Sequence, residues 1–220
     1  MKWQLPAVLA CVLLTAWAAA CWTMGRGSAH GPPSSGPFRP ASADKHLVTP
    51  QQLVAAGTMS ERTLAPIVAV AHDGRRRQWM DLAGGQPVVV VFIKKGCPCN
   101  VEFEPFFHRL QRAYRGSARL VGVIDGPVEA ARYYAETNRA PYLILADPER
   151  VLISRFRAEN GAYVALLTPA GVLDTLWPGC SAPMMRELSR RLAELAGIAE
   201  QPIDTAGLPD VLTTGCPFAS

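Results

Sequence analysis

Val88-Val89-Val90-Val91-Phe92-Ile93-Lys94-Lys95-Gly96-Cys97-Pro98-Cys99-Asn100 is the stretch on which the fold turns. Its first six residues are a continuous apolar run, mostly β-branched, as expected of a strand buried on both faces. Lys94-Lys95-Gly96 ends that run. Pro98 suits the first turn of a helix, where no amide donor is needed. Phe103, Phe106, Phe107, Leu110 and Tyr114 then recur at i, i+3, i+4, i+7 and i+11, one apolar stripe of a helix. Cys97 therefore falls at the N-cap of that helix. Pro105 lies inside it and predicts a kink, and Gly116 can end it.

Working outward, residues 67–71 read as a strand, His72-Asp73-Gly74 as a turn, and residues 78–80 as a second short segment. On the other side come a strand at 120–124, closed by Asp125-Gly126-Pro127, a helix at 128–138, a strand at 142–145 and a short helix at 148–156. Thr168-Pro169-Ala170-Gly171 joins residues 163–167 and 172–177 as a hairpin. Ser181 caps a last helix with Met184, Leu188, Leu192 and Leu195 inward, ended by Gly197. This alternation predicts an α/β domain, a mixed sheet with helices on both faces.

The 220 residues are 49% hydrophobic, enough for one substantial domain with extensions. The net charge of +4 is mild, and Arg75-Arg76-Arg77 is the tightest basic cluster. Nucleic-acid binding needs a broader basic face, so it is not expected. Residues 3–25 carry no charge and follow Lys2. As a helix they would span about one bilayer core. Residues 1–23 thus predict a cleaved export signal or a membrane anchor. Ala18-Ala19-Ala20 before Cys21 offers a signal-peptidase site, or a lipobox-like site that lipidates Cys21. Residues 24–43 hold four Gly, four Pro and four Ser, a linker that runs to about 46. The folded domain is expected over 47–197 and a Pro/Gly-punctuated tail over 198–220. This layout predicts a bacterial envelope protein, exported or membrane-tethered, on the periplasmic face.

The six cysteines (Cys11, Cys21, Cys97, Cys99, Cys180 and Cys216) follow no framework of a small disulfide scaffold and no paired zinc knuckle. Nothing in their spacing, or that of His30, His46, His72 and His108, calls for a cofactor or a metal. A thiol at a helix N-cap meets free amides and the positive end of the helix dipole, and both favour thiolate. Lys94 and Lys95 add positive charge nearby. Cys97 is thus the expected nucleophile in attack on disulfides or peroxides.

Those residues resemble the thioredoxin-like superfamily. Cys97 follows a buried strand, Pro105 lies eight positions on, and Phe92 lies five before. Ala65-Pro66 and His72-Asp73-Gly74 ahead of the strand look like the redoxin branch, the alkyl hydroperoxide reductase/thiol-specific antioxidant proteins and the TlpA-like thiol–disulfide oxidoreductases. Leu166-Leu167-Thr168-Pro169-Ala170-Gly171 is similar to the family's late strand and hairpin. The resemblance covers residues 64–196. It implies a three-layer thioredoxin-like fold and thiol–disulfide exchange with protein cysteines and a thiol reductant or oxidant. Asn100 stands where the family's second cysteine stands, and Ala162 where its cis-proline stands. Peroxiredoxin positions for Thr and Pro hold Lys94 and Val90.

The partner of Cys97 is open at this point. Residues two apart on a helix point to nearly opposite sides, so a Cys97–Cys99 disulfide would need the first turn to unwind. The last hairpin returns Cys180 towards the active-site end. The helix 182–196 runs about 22 Å away, but residues 197–216 reach about 60 Å when extended, so Cys216 can return as a resolving cysteine. Cys97, Cys99 and Cys216 are the candidate catalytic residues. Glu102 and Glu104 are expected as helix-surface charges, with proton relay as the other role, and His108 is expected in solvent. Besides disulfide exchange, the pattern admits a thiol peroxidase passing through a sulfenic acid, a Cu(I) chaperone using paired thiolates, or a redox-inert interaction module.

Overall fold

The computed structural model describes residues 46–64 and 66–218. In chain order they form α1 (Pro50–Gly57), β1 (Val68–Ala71), β2 (Arg76–Gln78), α2 (Trp79–Ala83), β3 (Val88–Ile93), α3 (Pro98–Ala113), β4 (Arg119–Ile124), α4 (Val128–Asn138), β5 (Leu143–Ala146), α5 (Val151–Arg155), β6 (Val164–Leu167), β7 (Leu173–Trp177) and α6 (Ala182–Ala196). The signal or anchor segment, most of the linker, Cys11 and Cys21 lie outside the described residues. Among the described residues, no helix is long and apolar enough to cross a membrane.

All six residues of β3 are buried, as a doubly covered strand requires. It sits inside a seven-stranded mixed sheet of order β2-β1-β5-β4-β3-β6-β7. β3 runs parallel to β4 and antiparallel to β6. Alternate residues feed two cores. Val89, Val91 and Ile93 pack with Phe103, Phe107 and Leu110 of α3, with α4 and with α6. Val88, Val90 and Phe92 pack with Trp79, Leu82, Leu152 and Phe156 on the opposite face. The result is the three-layer α/β arrangement, with α3, α4 and α6 on one side and α1, α2 and α5 on the other.

Several boundaries match the sequence pattern residue for residue. α4 spans the expected 128–138, and α6 starts after Ser181, whose side chain accepts from the Met184 amide. α3 begins at Pro98 with Cys97 as its N-cap, continues through Pro105 and ends before Gly116. Two elements differ. The segment expected at 78–80 pairs earlier, because Gly74 (φ 79°) turns the chain tightly and Arg76 already faces Val70. Trp79 then leaves the sheet edge to be buried, its indole donating to the Pro169 carbonyl, and starts a helix. α1 was not expected; Thr49 and Gln52 close a reciprocal capping box at its start.

The junction from β3 to α3 is locked by one side chain. Asn100 is buried, its Nδ2 donates to the Phe92 carbonyl at 3.0 Å, and its Oδ1 accepts from the Lys94 amide at 3.1 Å. Removing that side chain leaves the Lys94 amide without its partner and the Phe92 carbonyl with the Ala162 amide alone, at about 1–3 kcal/mol for such a loss. Asn100→Ala is therefore expected to lower unfolding free energy by that amount in urea denaturation. A change under about 0.5 kcal/mol would show the clamp to be dispensable.

Candidate active site

Cys97 is almost fully buried, at 4% exposure, at the mouth of the β3–α3 turn. As N-cap its backbone is extended (φ −80°, ψ 119°) rather than helical. That corrects the expectation of divergent side chains. Helical periodicity does not apply to a cap residue, so the Cys97 sulfur turns back over the first turn. The Cys99 thiol lies within hydrogen-bonding reach of it.

The C-terminal segment supplies the other wall. The Cys216 backbone amide donates to the Cys97 sulfur at 3.2 Å. Cys216 arrives there by backbone pairing. The Gly215 amide donates to the Gly161 carbonyl at 2.7 Å, and the Gly161 amide donates to the Cys216 carbonyl at 2.9 Å. Further along, Thr213 pairs with Cys180, the Thr214 amide donates to the His46 carbonyl, and the Phe218 amide donates to the Glu159 carbonyl. Phe218 is buried in the second core. The close approach needs two glycines. A Cβ on Gly215 would stand 2.8 Å from the Gly161 carbonyl carbon, and one on Gly161 would stand 2.5 Å from Asn100 Oδ1. Ala162, in the family's cis-proline position, is fully buried at φ 63° and donates to the Phe92 carbonyl at 2.7 Å.

The three thiols are electrostatically unequal. The Cys99 side chain, as hydrogen-bond donor, is the main force holding the Cys97 pKa at about 5 against an ordinary 9.0. Burial opposes it, and the Cys216 amide, the Cys216 side chain and the Asn100 amide assist. Cys99 is pushed far up, first because its proton is given to Cys97 and then by burial. Burial, then the bond to Cys97, raises Cys216 to about 11. At neutral pH the cluster therefore holds one thiolate and two thiols. The lysines do not act as expected. The Lys94 ammonium is spent on Asp125 at 2.8 Å, and the largest contributions that lower Cys97 come from thiol and amide donors.

Cys180 is not part of this cluster. It is fully buried, its backbone pairs with Thr213, and burial pushes its thiol up, away from reactivity. Glu104 corrects the surface-charge expectation. Only 3% of it is exposed, and it accepts from Tyr142 at 2.6 Å and Tyr134 at 2.8 Å, with His108 Nε2 3.3 Å away. Burial raises its pKa, against the pull of the two tyrosines and His108. Glu102 stays half-buried on the surface, raised by burial and then by the Cys97 charge, while His46 pulls it down. Asn100, Gly161, Gly215 and Tyr134 were missed as site residues; the glycine in Thr214-Gly215-Cys216 was the available signal. Among the described residues, no group of three or more His, Cys, Asp or Glu side chains is arranged to hold a metal ion.

A groove of about 570 Å³ lined by Cys97 opens between the start of α3 and α4. Tyr134 lines it, with its hydroxyl committed to Glu104.

Comparison with known proteins bears on the fold and the family. Solved structures of similar fold include the peroxidoxin BcpB from Mycobacterium tuberculosis, at 20% identity and TM-score 0.53, over 64% of this chain and 98% of that one. The bacterioferritin comigratory protein of Xanthomonas campestris, described for alkyl peroxide reduction, matches at 18% identity and TM-score 0.51, over 59% and 92%. A secreted disulfide oxidoreductase of Mycobacterium tuberculosis, homologous to E. coli DsbE, matches at 21% identity and TM-score 0.50, over 59% and 96%. These establish the thioredoxin-like fold. Among curated proteins none matches the chain. The AhpC/TSA family model matches residues 62–174, just over half of the sequence, and the chain, an oxidoreductase of the redoxin branch, belongs to that family.

Proposed function

We propose that this redoxin is an exported or membrane-tethered thiol–disulfide oxidoreductase that acts on protein cysteines, with Cys97 as nucleophile and Cys216 as resolving cysteine. The observation that carries the reading is the Cys216 amide on the Cys97 sulfur, which holds a second thiol beside a stabilised thiolate. Envelope placement rests on the uncharged segment 3–25 and the linker behind it.

The reaction balances as follows. The Cys97 thiolate attacks one sulfur of a substrate disulfide; that S–S bond breaks, a Cys97–substrate bond forms, and the other substrate thiolate leaves and takes a proton. Cys216 then loses its proton and attacks the Cys97 sulfur. The mixed disulfide breaks, the second substrate thiol is released, and a Cys97–Cys216 disulfide remains. An external dithiol restores the two thiols. The steps run equally in reverse, with the oxidised protein accepting electrons from substrate thiols. A low thiolate pKa stabilises the reduced form and so makes this disulfide the more oxidising. Cys99 keeps its proton throughout and donates it as a hydrogen bond to Cys97 whenever Cys97 is a thiolate. The peroxidase reading uses the same two sulfurs, with Cys97 oxidised first to a sulfenic acid; it is favoured by the family and weakened by Lys94 and Val90 at the Thr and Pro positions.

Peptide mapping of the oxidised protein is expected to recover Cys97 bridged to Cys216. Gly215→Val, which pushes the tail off Gly161, is expected to slow resolution at least about tenfold and let the mixed disulfide accumulate. A Cys97–Cys99 bridge with Cys216 free would overturn the assignment.

Ultraviolet titration of the reduced protein should show one thiolate forming near pH 5, and Cys99→Ala should move it upward. The folded pKa lies below the unfolded one, so the thiolate's contribution to stability is complete above about pH 9. It is lost as pH falls through about 5. The stability difference between the reduced protein and Cys97→Ser should therefore shrink over that window. A midpoint that stays near 9 would refute the activated thiolate.

A further inference from the structure

The tail and the groove divide the space around Cys97. The tail lies against Gly161 and brings Cys216 to the sulfur. The groove reaches the same sulfur without any residue of the tail or of the Gly161–Ala162 turn in its walls. Thiol–disulfide exchange is a displacement at sulfur, in which the attacking, central and leaving sulfurs lie close to a line. If Cys216 attacks Cys97 from the tail side, the substrate sulfur leaves from the other side. The reverse reaction obeys the same line. The groove, which Cys97 lines and no tail residue does, is the open space available for that leaving sulfur.

Its chemistry narrows what it takes. Pro98, Val101, Ile124, Pro127, Ala130 and Tyr133 make its walls apolar, and Val101 (47% exposed) and Tyr133 (71% exposed) have no apolar cover. The Tyr134 hydroxyl is already used by Glu104. Thr137 and Asn138 are the only uncharged polar side chains in the lining besides the two tyrosines, so the apolar stretch next to Cys97 offers few hydrogen bonds to a small, highly charged thiol, whose polar groups would lose water with little replacement. That stretch fits a large apolar side chain. At the rim, the Lys94 charge is cancelled by Asp125, whereas the Lys95 ammonium forms no ion pair among the described residues; Glu129 is the one carboxylate in the lining. A partner carboxylate beside Lys95 is the complementary charge.

We infer that the groove between the start of α3 and α4 is the seat of the substrate half of the mixed disulfide, and that its occupant is a polypeptide cysteine flanked by a large apolar residue, with an acidic residue reaching Lys95. This rests on the thiol-exchange reading of the same site. It goes beyond that reading by naming the side of approach and the flanking chemistry. The seat is separate from the edge at Gly161, which the chain's own tail fills.

The probes are two synthetic peptides, each carrying its cysteine as a disulfide with a chromogenic thiol. One has Phe next to the cysteine and Glu beyond it; the other has Ser and Gln. The full chain is reduced, and mixed-disulfide formation at Cys97 is followed at 20 mM and 500 mM salt, concentrations of about those orders placing the Debye length on either side of 10 Å. The Phe/Glu peptide is expected to react about tenfold faster, the factor that burying one large apolar side chain supplies. Val101→Glu and, independently, Tyr133→Ala should each bring the ratio towards one. Lys95→Ala should remove the part of the preference that salt weakens. Met80→Ala, on an exposed side chain of α2, should keep the wild-type ratio. A ratio of one in the wild-type chain, with both peptides still captured by Cys97, would overturn the groove assignment and leave thiol exchange standing. Capture of neither peptide, or capture that survives Cys97→Ser, would overturn thiol exchange itself. A ratio that both Val101→Glu and Tyr133→Ala leave intact would place the substrate elsewhere on the surface.

Discussion

The carboxamide of Asn100 is the contact on which the rest of the site depends. It ties the last residues of β3 to the first turn of α3 through the Phe92 carbonyl and the Lys94 amide. Because it spans that turn from inside, Cys97 is left as an extended cap rather than a helical residue. Its sulfur can then meet groups from three directions: Cys99 above, Cys216 from the tail, and the groove. The same carboxamide packs against Gly161, where any side chain would collide with Asn100 Oδ1. Gly161 in turn carries the backbone pair to Gly215 and Cys216. A single line of close backbone contacts therefore runs from the central strand to the tail cysteine.

Within that frame, hydrogen-bond donation rather than formal charge is the main stabiliser of the Cys97 thiolate. Two lysines precede Cys97, yet one is neutralised by Asp125, and the largest contributions to the lowered thiol come from hydrogen-bond donors. The work falls to a neighbouring thiol and to backbone amides, which are short, fixed and already oriented. The cost appears on the donors: Cys99 and Cys216 both become harder to ionise. One thiolate and two thiols result, the arrangement that the proposed stepwise exchange would use. Beneath them, the buried Glu104 holds Tyr134 and Tyr142 in place, which shapes the groove floor and takes the Tyr134 hydroxyl out of play.

The tail lies beyond the region that the family model matches, which ends at residue 174. The family portion supplies the strand, the turn and Cys97. The segment from α6 onward adds the second sulfur, held by Thr213, Thr214 and Phe218 on either side. Its backbone pairing with Gly161 occupies a backbone edge beside Cys97, and the α3–α4 groove carries no residue of the tail.

The sequence by itself determined the sheet core, the capped helix behind it and the place of Cys97 at the helix N-cap, because these follow from local patterns: six consecutive apolar residues, a proline at the first helical turn, and a 3.6-residue stripe. It also determined α4 and α6 to the residue, through their turn and cap signals. Only the tertiary structure decided which cysteine meets Cys97. The angle of the Cys99 side chain depends on the cap dihedrals, and the return of Cys216 depends on a backbone pairing between residues more than fifty positions apart. It likewise decided that Glu104 is buried, since helix periodicity gives the direction of a side chain but not the tyrosines from α4 and the loop before β5 that close over it. Local pattern encodes direction and period; contacts that pair distant backbone and fill space between layers exist only once the chain has folded.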